Sequence, residues 1–149
     1  MAVRSTGANG GYSFDVPAGT YNVREVVPAD HVAIAGVARS ASVCGAVEGL
    51  NFANFPTSFN ATASGDAYYL KMSGNMLQIS AGTAPLTTPT YQIAASLLPS
   101  VTFNLTGTGE TLFADFSGGA PPVNIILNAA TGNNDTLTII GQGTSQSFT

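Results

Sequence analysis

The chain has 149 residues, 44% of them hydrophobic and only 8% charged, with a formal net charge of -4, which gives it the means to bury a core and sets it apart from disordered segments of low hydrophobicity and high charge. Its four basic residues, Arg4, Arg24, Arg39 and Lys71, lie far apart, and none sits in a run able to neutralise several phosphates, which excludes nucleic acid as an expected partner. The longest apolar stretches, such as Ile93–Leu98 with Ser96 inside it, fall well short of the roughly 18 residues of a membrane helix.

Strand-favouring residues come in short runs parted by Gly, Pro, Asn and Ser, and no stretch longer than a turn near Ala94–Leu98 keeps helical apolar spacing, so the expected fold is all-β. Gly11–Asp15 alternates Tyr12 and Phe14 with Ser13, Pro17-Ala18-Gly19 reads as a turn, and Tyr21–Val26 alternates again, the pattern of a hairpin or meander corner. Pro28 and Asp30 break the pattern, Val32–Val37 reads as a further strand, and Val47–Phe55 places Leu50 and Phe52 on one face before Pro56 stops it. Beyond a boundary near Thr57 the texture changes to seven short strands: Ala67–Met72, Met76–Ser80, Thr90–Ala94, Val101–Leu105, Thr111–Phe116, Val123–Leu127 and Thr136–Ile140. Two modules are expected, residues 1–57 and 58–149. The opening Met1–Gly11 lacks the apolar centre of a secretion signal, so any export signal is expected outside this chain.

Within the second module one unit recurs. Phe59-Asn60 is followed by Asp66, Phe103-Asn104 by Glu110, and Leu127-Asn128 by Asp135, at spacings of 44 and then 24 residues. A period near 22 to 24 with one degenerate copy between the first two fits a β-solenoid whose coils share a core. Seven short strands with regular turns fit a β-sandwich equally.

Thr6–Phe14, continued by Val16–Pro28, resembles the C-terminal half of the B-type repeats of serine-aspartate and collagen-adhesin surface proteins, and Leu50–Phe55 resembles the closing strand of that module. The resemblance covers about residues 6–57 and implies a partial B-type, prealbumin-like β-sandwich whose opening strands are missing. Residues 58–149, with Gly65–Leu70 and Asn134–Ile139, are similar to the repeat regions that follow such modules in very large secreted bacterial proteins. The family can carry an isopeptide bond between a Lys on the first strand and an Asn on the last, promoted by a buried acid whose position Glu25 occupies. No lysine precedes Glu25 and the sole lysine is Lys71, so Glu25 reads as a structural remnant. Calcium binding in the family relies on acidic loops of the missing half, and Gly7 stands where an Asp is common.

Other chemistry finds little to build on. His31, the only histidine, follows Pro-Ala-Asp in a turn and has no nucleophile beside it in the sequence. Cys44, the only cysteine, lies thirteen residues from His31 without metal-ligand spacing and is expected as a buried or half-buried thiol. Asp66, Glu110, Asp115 and Asp135 are the acids from which a glycosidase pair or a calcium loop would be drawn, but a single acid after Gly65, Gly109 or Asn134 fits better as a turn residue accepting backbone hydrogen bonds. The sequons at Asn60, Asn104 and Asn134 are three-residue matches that arise easily in so Asn- and Thr-rich a chain. No catalytic, cofactor or metal residues are expected.

The resemblance therefore implies a non-catalytic structural or adhesive module of a bacterial cell-surface, extracellular protein. Self-association is expected at open strand edges near Tyr12–Phe14 or Leu50–Phe55, besides contacts with neighbouring domains. The alternative is a carbohydrate- or matrix-binding module using Tyr68, Tyr69 and Tyr91, and an enzyme is the third reading.

Overall fold

A computed structural model describes residues 1–141. Among these residues the fold is all-β, with several sheets, none of them closed, and a single 3₁₀ turn at Ala95–Leu97. The strands are β1 (Gly19–Arg24), β2 (His31–Ala33), β3 (Ala38–Val43), β4 (Asn54–Pro56), β5 (Ser58–Ala61) and β6 (Ala67–Ser73), followed by β7 (Met76–Ala81), β8 (Tyr91–Ala94), β9 (Ser100–Leu105), β10 (Thr111–Asp115), β11 (Asn124–Ala129) and β12 (Thr136–Ile140). The chain divides into two compact units, one built from Met1–Val26 with Gly36–Phe52, the other from Val27–Ala35 and everything from Ala53 onward.

In the first unit β1 pairs antiparallel with β3, from Gly19 opposite Val43 to Arg24 opposite Ala38, and the Glu25 N–H extends the ladder by donating to the Val37 carbonyl at 2.8 Å. The expected strand at Gly11–Asp15 is absent: Tyr12 and Phe14 are half-buried and Ser13 exposed, but the backbone is irregular. Side chains, not a ladder, hold this segment. The Tyr12 ring packs edge-on to Phe14 at 5.9 Å and lies 6.3 Å from Phe52, while its hydroxyl donates to the Leu50 carbonyl. The partner of β1 is instead Ala-Arg-Ser-Ala-Ser-Val, a strand poor in the β-branched and aromatic residues that mark strands in a sequence. The Arg39 guanidinium covers the Phe52 ring at 5.3 Å.

The second unit opens with a short antiparallel pair, β2 with β4. The strand expected over Val32–Val37 is regular only through Ala33, and of Val47–Phe55 only Asn54 and Phe55 are in strand, with Pro56 paired instead of terminating it. Pro56 is tolerated because of its register. The Ile34 N–H donates to the Ala53 carbonyl and the Thr57 N–H to the Asp30 carbonyl, so the ladder bonds fall at odd positions of this strand and the missing proline N–H at 56 faces away from the partner.

From Thr57 on, all seven expected strands occur, each within two residues of its expected bounds, with β5 added before them. They form two sheets. β5, β9 and β11 are parallel neighbours, with Phe59, Phe103 and Leu127 in register, as are Asn60, Asn104 and Asn128. β6, β10 and β12 are likewise parallel, with Ala67, Thr111 and Thr136 aligned. Each rung is one strand of the first sheet, a reversal at the recurring acid, and one strand of the second.

The 44-residue interval between the first two rungs does not contain a degenerate rung. Gly74, at φ +59°, and Asn75 make a two-residue turn that sends β7 back antiparallel to β6, the local geometry of a hairpin, and β8 then pairs antiparallel with β7. Both sheets share one core. Phe59, Leu70, Leu77, Ile79, Ile93, Val101, Phe103 and Leu112 are buried in it together with Phe55 from β4.

Candidate functional site

The positions that recur in the sequence stand one above another in the parallel stack, which makes that stack the place to look for function. On its outer surface the Asn104 side-chain amide donates to Asn60 Oδ1 at 2.7 Å and to Ser58 Oγ at 3.0 Å, and Asn128 donates to Asn104 Oδ1 at 2.8 Å. In-register parallel pairing brings identical amides within bonding distance at every rung, so the same residue type satisfies itself up the ladder. Inside, Phe59 stacks on Phe103 at 5.4 Å with the rings 20° apart. On the second sheet Tyr69 stacks on Phe113 at 6.0 Å and 18°.

The recurring acids hold the chain reversals. Asp66 Oδ2 accepts from the Thr62 and Ala63 N–H groups at 3.2 and 2.9 Å. Glu110, fully buried, accepts from the Gly107 N–H at 2.8 Å, and a side chain at 107 would strike its carboxylate, which is why glycine stands there. Asp135 Oδ1 accepts the Glu110 N–H at 3.1 Å, so the second and third reversals are tied to each other. Asn134 precedes this acid at φ +56°, a left-handed conformation that Asn accepts more readily than most residues.

Asp115, the fourth acid, lies apart from those turns and accepts from the Tyr69 hydroxyl at 2.6 Å and the Ser117 N–H at 2.9 Å. Burial alone would push its carboxyl up, but the hydrogen bonds from Ser117 and Tyr69, with the nearby Lys71 charge, outweigh it and hold the pKa below the usual value. The Tyr69 phenol is pushed up to about 12 by its own burial and by Asp115. Among the described residues no three His, Cys, Asp or Glu side chains gather to hold a metal ion.

The three tyrosines do not form one face. Tyr69 is buried against Asp115 and Phe113. Tyr68, its neighbour in the strand, faces the other way, packing on Phe59 and Phe103 and donating from its hydroxyl to the Asn60 carbonyl; burial, then the Asp66 charge, raises its pKa. Tyr91 is partly exposed and packs edge-on to Phe55 and Phe59.

His31 Nδ1 lies 2.8 Å from Asp30 Oδ1, and that hydrogen bond lowers the Asp30 pKa; the pair is at the surface. Cys44 is exposed rather than buried. It follows the end of β3 in a bend beside Gly45, one residue past Val43, the last position paired with β1. Glu25 continues the backbone ladder of β1.

The amide ladder was missed in the sequence. Its signal was available: Phe-Asn, Phe-Asn and Leu-Asn recur with the acids, and an Asn held at one register of a repeat is a ladder candidate. No protein-family model, curated protein or solved structure matches the chain.

Proposed function

We propose that this chain is a non-catalytic structural module of a secreted bacterial cell-surface protein, in which the repeat region that begins at residue 58 supplies a short β-solenoid segment of a stalk or fibre. The observation that carries the reading is the in-register stack of rungs tied by the Asn60–Asn104–Asn128 ladder. Such a stack lengthens by repeating one rung, so it supplies reach at a constant cross-section. Its acids serve the same end, since Asp66, Glu110 and Asp135 each accept backbone N–H groups at reversals. The low charge and the abundance of Thr, Ser and Asn suit an exposed stalk, and the likeness of residues 6–57 to B-type repeats supports a place in a surface protein. Contacts with neighbouring domains or copies then matter more than any single side chain.

The test is to label intact source cells with antibody raised against the purified chain and to screen that chain against polysaccharides for turnover. Labelling without permeabilisation, and no turnover, is expected. Labelling only after permeabilisation, or turnover abolished by Asp115→Asn, overturns the reading.

A further inference from the structure

The two ends of the parallel stack are unlike. At the first rung β7 occupies the outer edge of β6, and Phe55 and Tyr91 pack against Phe59, so the inward side chains Phe59, Ala61 and Leu70 are all buried. At the last rung, among the described residues, neither β11 nor β12 has a partner on its outer edge. The core columns run on into that rung and stop bare: Leu137 is 47% exposed over Leu112 at 0%, and Ile139 37% over Ala114 at 3%. Ile125 and Leu127, over the fully buried Val101 and Phe103, are only half-buried.

We propose that this bare rung is the docking surface for a second copy of the same chain, joined end to end about a twofold axis with β12 antiparallel to its counterpart. The inference deepens the structural reading above and rests on it for the role of the joint. Three observations select this occupant. The first is the covered opposite end: a second copy continuing the parallel stack head to tail would need the edge of β6, which β7 already fills, so the second sheet cannot be extended rung on rung in that sense, whereas two open rungs can meet about a twofold axis. The second is charge. From Asn124 to Gly141 the only charged residue is Asp135, and its carboxylate is turned onto the Glu110 N–H; the edge carries none of the lysines or prolines that keep like edges apart, so like meets like without repulsion.

The third is backbone register. The Thr136 N–H donates to Glu110 and the Phe116 N–H to the Ile140 carbonyl, so residues 136, 138 and 140 face β10 while the backbone groups of Leu137 and Ile139 point to the open edge. A twofold axis through Thr138 sets Leu137 opposite Ile139 of the second copy, outward groups against outward groups, so both form hydrogen-bonded pairs. It also lays the bare inward side chains of one rung over those of the other, and because the symmetry closes, the product is a dimer.

The test is light scattering of the whole chain over a wide concentration range, beside two variants. Wild type is expected to double in mass with rising concentration, and Ile139→Lys, which puts a charge on an already exposed edge position, to stay monomeric with an unchanged circular dichroism spectrum. Should that variant fail to fold, Thr138→Cys in a Cys44→Ser background decides: at a non-hydrogen-bonded antiparallel pair the Cα atoms stand about 4.5 Å apart, within disulfide range, so mild oxidation links it to a covalent dimer while Gln92→Cys on the β8 edge stays unlinked. A monomer at every concentration, fibres in place of a dimer, or linking at Gln92→Cys but not at Thr138→Cys overturns the proposal. None of these outcomes touches surface exposure of the chain, so the stalk reading stands or falls separately.

Discussion

Replacing the middle amide of the ladder with alanine should cost more than replacing its last one. Asn104→Ala removes three hydrogen bonds, to Asn60, to Ser58 and from Asn128, whereas Asn128→Ala removes one. A typical intramolecular hydrogen bond contributes about 0.5–1.5 kcal/mol net, and those open to water lie at the low end because the freed group is resolvated. The expected losses are about 2 kcal/mol for Asn104→Ala and about 0.5–1 kcal/mol for Asn128→Ala; strand propensity does not confound them, since Asn and Ala are both weak strand formers. In urea titration, with a slope of about 2 kcal/mol/M, the first moves the midpoint by about 1 M and the second by about half that or less. The bond between 104 and 128 can be lost only once, so the double variant should cost no more than Asn104→Ala alone, a coupling that identifies the ladder and not two independent surface sites. Equal losses for the two single variants, or additive ones in the double, would refute the argument and leave the rungs held by backbone and core alone.

The remaining predictions concern close approach, protonation and folding order. Gly118→Ala would drive a Cβ into the Met72 carbonyl oxygen, a backbone atom and not the end of a flexible side chain, and should destabilise the chain by about 1–3 kcal/mol; Gly45→Ala, into open space, should stay within about 0.5 kcal/mol of wild type in the same melt. Tyr69 keeps its proton in the folded chain to about pH 12 while an unfolded tyrosine gives it up near 10, so its contribution is full below about pH 10 and is lost as pH rises through about 12. Asp115, with its lowered value, works in the opposite sense: its contribution is present above the ordinary Asp range near 4 and fades as pH falls through the folded value. Tyr69→Phe should therefore abolish that part of the alkaline loss in a denaturation series from pH 9 to 12 and shift the acid limb upward; an unchanged pH profile would remove the pair from the account.

Much of the second unit was legible because its strands are bracketed by residues with one strong habit. Gly74, Gly82, Gly109 and Gly132 all adopt positive φ, and such residues announce a reversal whatever packs around it. The repeat was legible too, since in-register parallel pairing demands like residues at like positions, and Phe59, Phe103 and their following asparagines meet that demand. Pairing direction was not legible: Tyr68–Met72 and Met76–Ser80 alternate alike whether their partner runs parallel or antiparallel, so the hairpin in the 44-residue interval read as a worn rung. In the first unit, Tyr12 and Phe14 carry a strand's alternation but spend it on a ring cluster with Phe52. β3, lacking bulky residues, is set by pairing with β1 and by burial of Ala41, information that lies in the partner and not in the segment.

The two-residue turn at Gly74-Asn75 also gives the stack a starting point in time. β6 and β7 are joined by the shortest closure in the second unit, whereas β6 and β10 must meet across 44 residues and β10 and β12 across about 25, and local closures form before distant ones. The hairpin is then the template on which β10, and after it β12, are laid down, so a nascent chain can assemble its rungs in the order in which they are synthesised. Substitutions in the turn should slow refolding, while Ile140→Ala in β12 should chiefly speed unfolding; stopped-flow measurements showing the reverse would place the nucleus at the other end.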